Sequence, residues 1–280
     1  MPLICTNMKK FLFFAMMLCG GVALAQEKAE YRVTYDCDAL FSAERKVYRW
    51  SLDIGQTQAV FYNESSREKE KVIDEISKNN DVTAVMAQLK SLGGRFKNAN
   101  SLEVLVGAPE AGKYTYLNRI NSDALYYEEQ LPEISWTMTE RDTTVCGYSC
   151  FGAEATVYGR KWTVWFAPEI PISYGPWVLG GLPGLILDAV DADGLFHFTA
   201  VGLEEAPEGA EVALSGKKDA MKCSRKRYLE LRDKANGQSI NDQLREMGIA
   251  DMTVVKVVSA DGKDIDMNAG RPKQNYLDLE

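Results

Sequence analysis

The sequence predicts a mainly β, β-rich α+β fold: a strongly twisted antiparallel sheet, left open or half closed as a half-barrel, with a helical insertion and C-terminal helices. Three observations lead there. Apolar and polar residues alternate with period two through much of the stretch from 31 to 201. The period changes to helical spacing in one early block, near 67–92, and Gly, Pro, Asn and Asp clusters punctuate the rest.

Residues 1–25 read as a cleavable secretory signal: Lys9 and Lys10 precede the apolar run 11–18, and Ala23-Leu24-Ala25 supplies a small-residue site before Gln26. That run falls short of the roughly 20 residues a spanning helix needs. Leu18 ahead of Cys19 fits lipid anchoring poorly, and Met8 is as good a start as Met1. Sec export to the periplasm or exterior is therefore expected, with 26–280 as a single domain.

Tyr31, Val33 and Tyr35 alternate with Arg32, Thr34 and Asp36, and strands at 47–54 and 58–62 follow. Val72, Ile73 and Ile76, then Val82, Val85, Met86 and Leu89, fall at helical spacing, with Asn79-Asn80-Asp81 as break and cap. Strand character resumes at 114–117, 125–130 and 134–139. Segments 153–158 and 161–166 form a hairpin whose loop Gly159-Arg160 suits a type II′ turn. Trp162, Val164 and Phe166 then share one face, and Lys161 and Trp165 the other. A second hairpin, 185–190 with 195–201, turns through Asp191-Ala192-Asp193-Gly194.

After Pro207 the chain becomes charged. Residues 224–235 read as a helix with Tyr228, Leu229 and Leu231 inward, 239–247 as another, and 251–259 as a late strand. The tail beyond Gly262 is polar and expected to be mobile.

The chain has 32 basic and 40 acidic residues, and the signal removes two lysines and no acid, so the net charge moves from −8 to −10. Nucleic acid, which requires a basic face, is excluded as a partner. Removing the signal leaves Cys37, Cys146, Cys150 and Cys223, which are open to disulfide pairing in an oxidising compartment or to burial as free thiols. Cys146 and Cys150 could join only if 147–149 turns, because an extended strand holds them too far apart. Neither the cysteine spacing nor the lone His197 matches a zinc pattern, and no cofactor or metal is expected.

Pro168, Pro171, Pro176 and Pro183, with glycines at 175, 180, 181 and 184, forbid a continuous central strand. They read either as a rigid loop guarding an opening or as a sheet corner that carries the chain across the core. The aromatic set around them suits either a ligand cup or ordinary core. His197 lacks a nucleophile-elbow motif. The basic run of Lys217, Lys218, Lys222, Arg225, Lys226 and Arg227 reads as a solvated helix start or a docking patch.

Gly147-Tyr148-Ser149-Cys150, Ala155, Gly159-Arg160, the run 165–171, Gly175-Pro176 and Gly180-Gly181-Leu182-Pro183-Gly184-Leu185-Ile186-Leu187 together resemble the GLPGLI family of exported Bacteroidetes proteins. The likeness is strongest over 134–201. It implies an exported protein without assigned activity, of a kind associated with outer-membrane uptake systems, and carries no catalytic residues. The Gly-Tyr-x-Cys hairpin on a curved sheet is also distantly similar to half-barrel lipoprotein and lipid carriers.

The expected function is a non-enzymatic envelope protein presenting an apolar groove to a hydrophobic ligand or to an outer-membrane, TonB-linked uptake partner. Trp162, Phe166, Tyr174, Trp177, Leu182, Pro183, Leu185 and Ile186 would form or support that groove. The alternative is a secreted hydrolase using carboxylates or His197.

Overall fold

A computed structural model describes residues 27–92, 94–246, 248, 257–258, 264–270 and 272–279. The expected signal and most of the expected late strand lie outside them. The chain forms β1 (Glu27–Lys28), β2 (Tyr31–Ala39), β3 (Lys46–Ile54), β4 (Ala59–Asn63), α1 (Glu64–Ser77), α2 (Val82–Ser91), β5 (Glu103–Val106), β6 (Lys113–Ile120) and β7 (Asp123–Gln130). There follow β8 (Thr137–Val145), β9 (Tyr148–Val157), β10 (Arg160–Ala167), β11 (Leu185–Asp191), β12 (Phe196–Glu205), β13 (Glu211–Val212), β14 (Met221–Lys222), α3 (Arg225–Ala235), α4 (Ile240–Glu246), β15 (Val257–Val258) and β16 (Asp264–Ile265).

One sheet holds twelve strands in the order β14-β7-β6-β5-β4-β3-β2-β12-β11-β10-β9-β8. Two meanders, β2 to β7 and β8 to β12, join where β2 pairs with β12, Tyr35 facing Ala200. Every ladder is antiparallel except the two-residue pairing of β14 with β7, so the sheet is mixed.

Alternation decides which face is inward. Val33, Tyr35, Cys37 and Ala39 of β2 are fully buried, while their neighbours in sequence are not. Strand twist, with bulges at Trp165/Phe166 and Ala200/Gly202, curls the sheet without closing it into a barrel. The two wings consequently share one core. Trp50 stacks on Phe61 at 4.8 Å, Phe198 lies 5.8 Å from Phe61, and Trp162 lies 6.3 Å from Phe198.

The helices begin where short polar side chains cap them. Asn63, Asp81 and Ser224 accept from amides of the first turns of α1, α2 and α3. The insert occupies its expected place, and α3 lays Tyr228 against Tyr116 and Tyr127 of β6 and β7 at 5.3 and 5.4 Å.

Three expectations need correction. The β9–β10 loop is Tyr158-Gly159, both with positive φ (45° and 75°), which is the type I′ pattern one residue earlier than predicted. Arg160 is thereby released into β10, where it forms a buried ion pair with Asp191 at 2.6 Å. Segment 134–139 contributes to a strand only from Thr137 onward. Within the tail, residues 274–279 are docked, with Leu277 and Asp278 buried.

Candidate functional site

The crease between β10 and β11 turns inward. Leaving Ala167, the chain makes two tight turns through Ile170 and Ile172, forms an isolated bridge between Tyr174 and Gly180, and re-enters the sheet at Leu185. A Cβ on Gly184 would overlap the Ala167 carbonyl, and one on Gly175 would sit 2.8 Å from the Ile186 Cβ. Backbone therefore packs on backbone at Gly184 and against the Ile186 side chain at Gly175, where only glycine fits. The Tyr35 hydroxyl donates to the Ile186 carbonyl (2.6 Å) and the Tyr174 hydroxyl to the Thr57 carbonyl (3.1 Å), tying the crease to the opposite wing.

The predicted groove residues do not converge on an opening. Trp162, Phe166, Trp177, Leu182, Leu185 and Ile186 are all at most 3% exposed, Tyr174 is half-buried, and Pro183 alone is exposed. The physical reason is that the crease itself fills the concavity: Ile170, Trp177, Val178, Leu179 and Leu182 are core. Trp177 packs on Trp162 at 6.2 Å and on Tyr158 at 5.8 Å.

This packing leaves the indole N–H groups of Trp50, Trp162 and Trp177 buried without an acceptor. Burying an aromatic ring gains about 3 kcal/mol, whereas an unsatisfied donor costs about 1–3 kcal/mol. The net gain from these three rings is correspondingly small.

The aromatic core surfaces at one edge. Phe151 of β9 lies 6.4 Å from buried Phe166 yet is 48% exposed, and Met138 of terminal strand β8 is 54% exposed. Register places both on the concave face, Met138 opposite Ala153 and Phe151 opposite Phe166. Half-buried Trp136 donates its indole N–H to the Gly180 carbonyl (2.9 Å), fixing this rim to the GLPGLI crease beside exposed Pro183. Beyond β8 no described strand pairs; an irregularity between Met138 and Asp142 carries Glu140 and Arg141, and Asp142 pairs opposite Phe151. Nothing in the sequence marks Phe151 or Met138 as exposed: Met138 reads as one apolar position of the alternating stretch 134–139, and Phe151 as one apolar residue among Cys150, Ala153, Ala155 and Val157.

His197 lies on the convex face. Its Nε2 is 3.0 and 3.1 Å from the two oxygens of Asp188, and Thr199 donates to Asp188 at 2.7 Å. The Asp188 hydrogen bond raises the imidazole pKa above its ordinary value, with partial burial opposing. In a hydrolytic triad the base meets hydroxyl and carboxylate through different nitrogens. Here the same Nε2 meets both Asp188 and, at 3.3 Å, Thr199, whose proton is directed to the carboxylate. The geometry suits an ion pair rather than nucleophile activation.

None of the four described cysteines is in a disulfide. The β8–β9 hairpin turns at Cys146-Gly147, and 148–150 is strand, so the turn that would join Cys146 to Cys150 is absent. Burial pushes the thiols of Cys37, Cys150 and Cys223 above their ordinary range, which keeps them protonated and unreactive. Among the described residues no group of three potential ligands could hold a metal ion. The basic run divides: Lys217 and Lys222 pair with Glu128, and Arg225 with Asp278.

In comparisons with known proteins, no family model and no curated sequence matches the chain. Among solved structures it is similar to PNGF-II in a C2 crystal form, at 14% identity and TM-score 0.49, covering 76% of this chain and 34% of that one. PNGF-II in a P21 form gives 14% identity, TM-score 0.48, and 76% and 37% coverage. The chain thus spans little more than a third of the PNGF-II chains. Among the described residues no helix is long and apolar enough to cross a membrane.

Proposed function

We propose that the protein is an exported, GLPGLI-type envelope protein that works by binding, and that an outer-membrane partner docks on the apolar rim at the β8 edge. The observation that carries this reading is Phe151: a phenyl ring continuous with the core through Phe166, and 48% exposed. Scattered single apolar residues are ordinary on protein surfaces. This one, on β9, shares its face with Met138 of the neighbouring terminal strand β8, whose outer edge pairs with no described strand. The irregularity and its charges restrict that edge to a partner shaped to complement them.

A photoreactive residue at position 138, activated in intact cells, tests it. One dominant outer-membrane adduct is expected, lost on Phe151→Asp and absent when the label sits at exposed Val47. Equal labelling from 138 and 47, or no adduct from 138, contradicts the reading.

A second reading rests on the indole donors of Trp162 and Trp177. An apolar ligand carrying acceptor oxygens, admitted between crease and sheet, would satisfy Trp162 and Trp177 and recover the cost of leaving them unpaired. Native mass spectrometry of protein purified without detergent should then show an adduct that Trp162→Phe weakens. A bare chain throughout contradicts it.

A further inference from the structure

Residues 274–279 cross from the β2–β3 loop to the β9–β10 turn and α3 as an extended peptide would. The Asn275 amide donates to the Phe41 carbonyl (2.8 Å) and the Leu279 amide to the Tyr158 carbonyl (2.9 Å). Arg160 donates to the carbonyls of Tyr276 (2.9 Å) and Leu277 (3.2 Å). Leu277 is 3% exposed, and Asp278, 2% exposed, receives Arg232 at 2.9 Å and Arg225 at 3.3 Å.

The receiving groups are held by contacts of their own. Arg160 is fixed in β10 by Asp191, and α3 is seated through Tyr228 on β6 and β7. Hydrogen bonds to the main chain, those between Gln274 and Asn236 included, accept any extended backbone. The buried Leu277 side chain and the Asp278 carboxylate, with the Asn275 side-chain amide on the Leu40 carbonyl (2.6 Å), supply selectivity. With the segment in place Arg232 is 7% exposed, its guanidinium 4.3 Å over the Tyr276 ring and bonded to Asp278; vacating the groove uncovers that cation and leaves it beside only the largely exposed Asp233. Such a site strongly favours a replacement carboxylate. In a protein of net charge −8, this is a local concentration of cationic groups.

We propose that this groove is a binding site for acidic extended peptides, reading an apolar residue followed by a carboxylate, and that residues 274–279 are its resident ligand in cis. The groove lies at the Tyr158 end of β9 and the rim at the Phe151 end, so the two proposals stand or fall separately.

The test uses the full chain and a fluorescein-labelled peptide Gln-Asn-Tyr-Leu-Asp-Leu. Asp278→Ala unseats the cis segment, whose tethering gives it a high effective concentration. The variant should bind the probe at least about tenfold tighter than the unaltered chain. Replacing the probe's aspartate by asparagine should weaken binding about tenfold or more. A folded variant that binds no tighter, or that does not distinguish the probes, overturns the proposal. Should Asp278→Ala not fold, hydrogen exchange on the unaltered chain decides. Amides of Asn275 and Leu279 exchanging at least about tenfold faster than that of Phe198 reveal a segment that detaches from an intact core. Exchange at the rate of Phe198 overturns it.

Discussion

The hydroxyls of Tyr114 and Tyr158 meet at 2.9 Å, although Tyr114 belongs to β6 in one wing of the sheet and Tyr158 to the β9–β10 turn in the other. Burial lifts the Tyr114 phenol far above its ordinary range and Tyr158 less so, so both stay protonated, each able to donate or accept. Their contact marks how far the curl brings the wings together, and therefore why the concave aromatics form a shared core.

That contact is measurable. Tyr158→Phe removes one partner of the buried Tyr114 hydroxyl, which keeps a hydrogen bond with Tyr127, and should cost about 1 kcal/mol. Adding Tyr114→Phe should then cost less than Tyr114→Phe alone, because the shared bond is already gone. Urea denaturation of the two single variants and the double variant closes the cycle. Additive losses would mean that the two hydroxyls are uncoupled.

The crease glycines are steric necessities. Gly184→Ala forces a methyl into the Ala167 carbonyl and should destabilise by at least about 2 kcal/mol. Gly202→Ala, whose methyl would meet Thr34 no nearer than 3.8 Å, should stay within about 0.5 kcal/mol of the parent. Equal melting temperatures for the two variants would show that the crease is not packed as described.

Trp177 acts as core. Trp177→Ala should cost about 3–5 kcal/mol, whereas Phe151→Asp on the exposed rim should change stability by less than about 0.5 kcal/mol. Thermal denaturation distinguishes them. A mild Trp177→Ala with a severe Phe151→Asp would exchange their roles.

His197 governs one part of the pH response. Because Asp188 raises the folded-state pKa above the unfolded value of about 6.5, the stabilisation is complete below about pH 6.5 and is lost as pH rises through the folded value. Asp38 on the facing strand adds to the shift. The melting-temperature difference between parent and His197→Gln should be largest near pH 5.5 and shrink toward about pH 8. A difference independent of pH would show that the pair does not form.

Much of this architecture was legible in the sequence because one-sided burial leaves a period-two trace, as in Tyr31 to Ala39 and Trp162 to Phe166. β5 left none, since all four of its residues are buried and nothing alternates. The inward path of the crease was also hidden. Proline and glycine declare a bend, but its direction depends on which wing Trp177 meets, and that is set by the β2–β12 pairing. The tail reads as mobile from sequence because Asp278 finds its partners at Arg225 and Arg232, more than 40 residues earlier in the chain, and no local pattern records such a match.

The central claim is that the curled sheet seals the indoles of Trp50, Trp162 and Trp177 and leaves Phe151 and Met138 as the exposed end of the aromatic core. Hydroxyl-radical footprinting read by mass spectrometry tests it directly. Met138 and Phe151 should oxidise at the rates of freely exposed residues, with Trp162 and Trp177 as slow as Trp50. Rapid oxidation of Trp162 and Trp177 with protection of Met138 would contradict it.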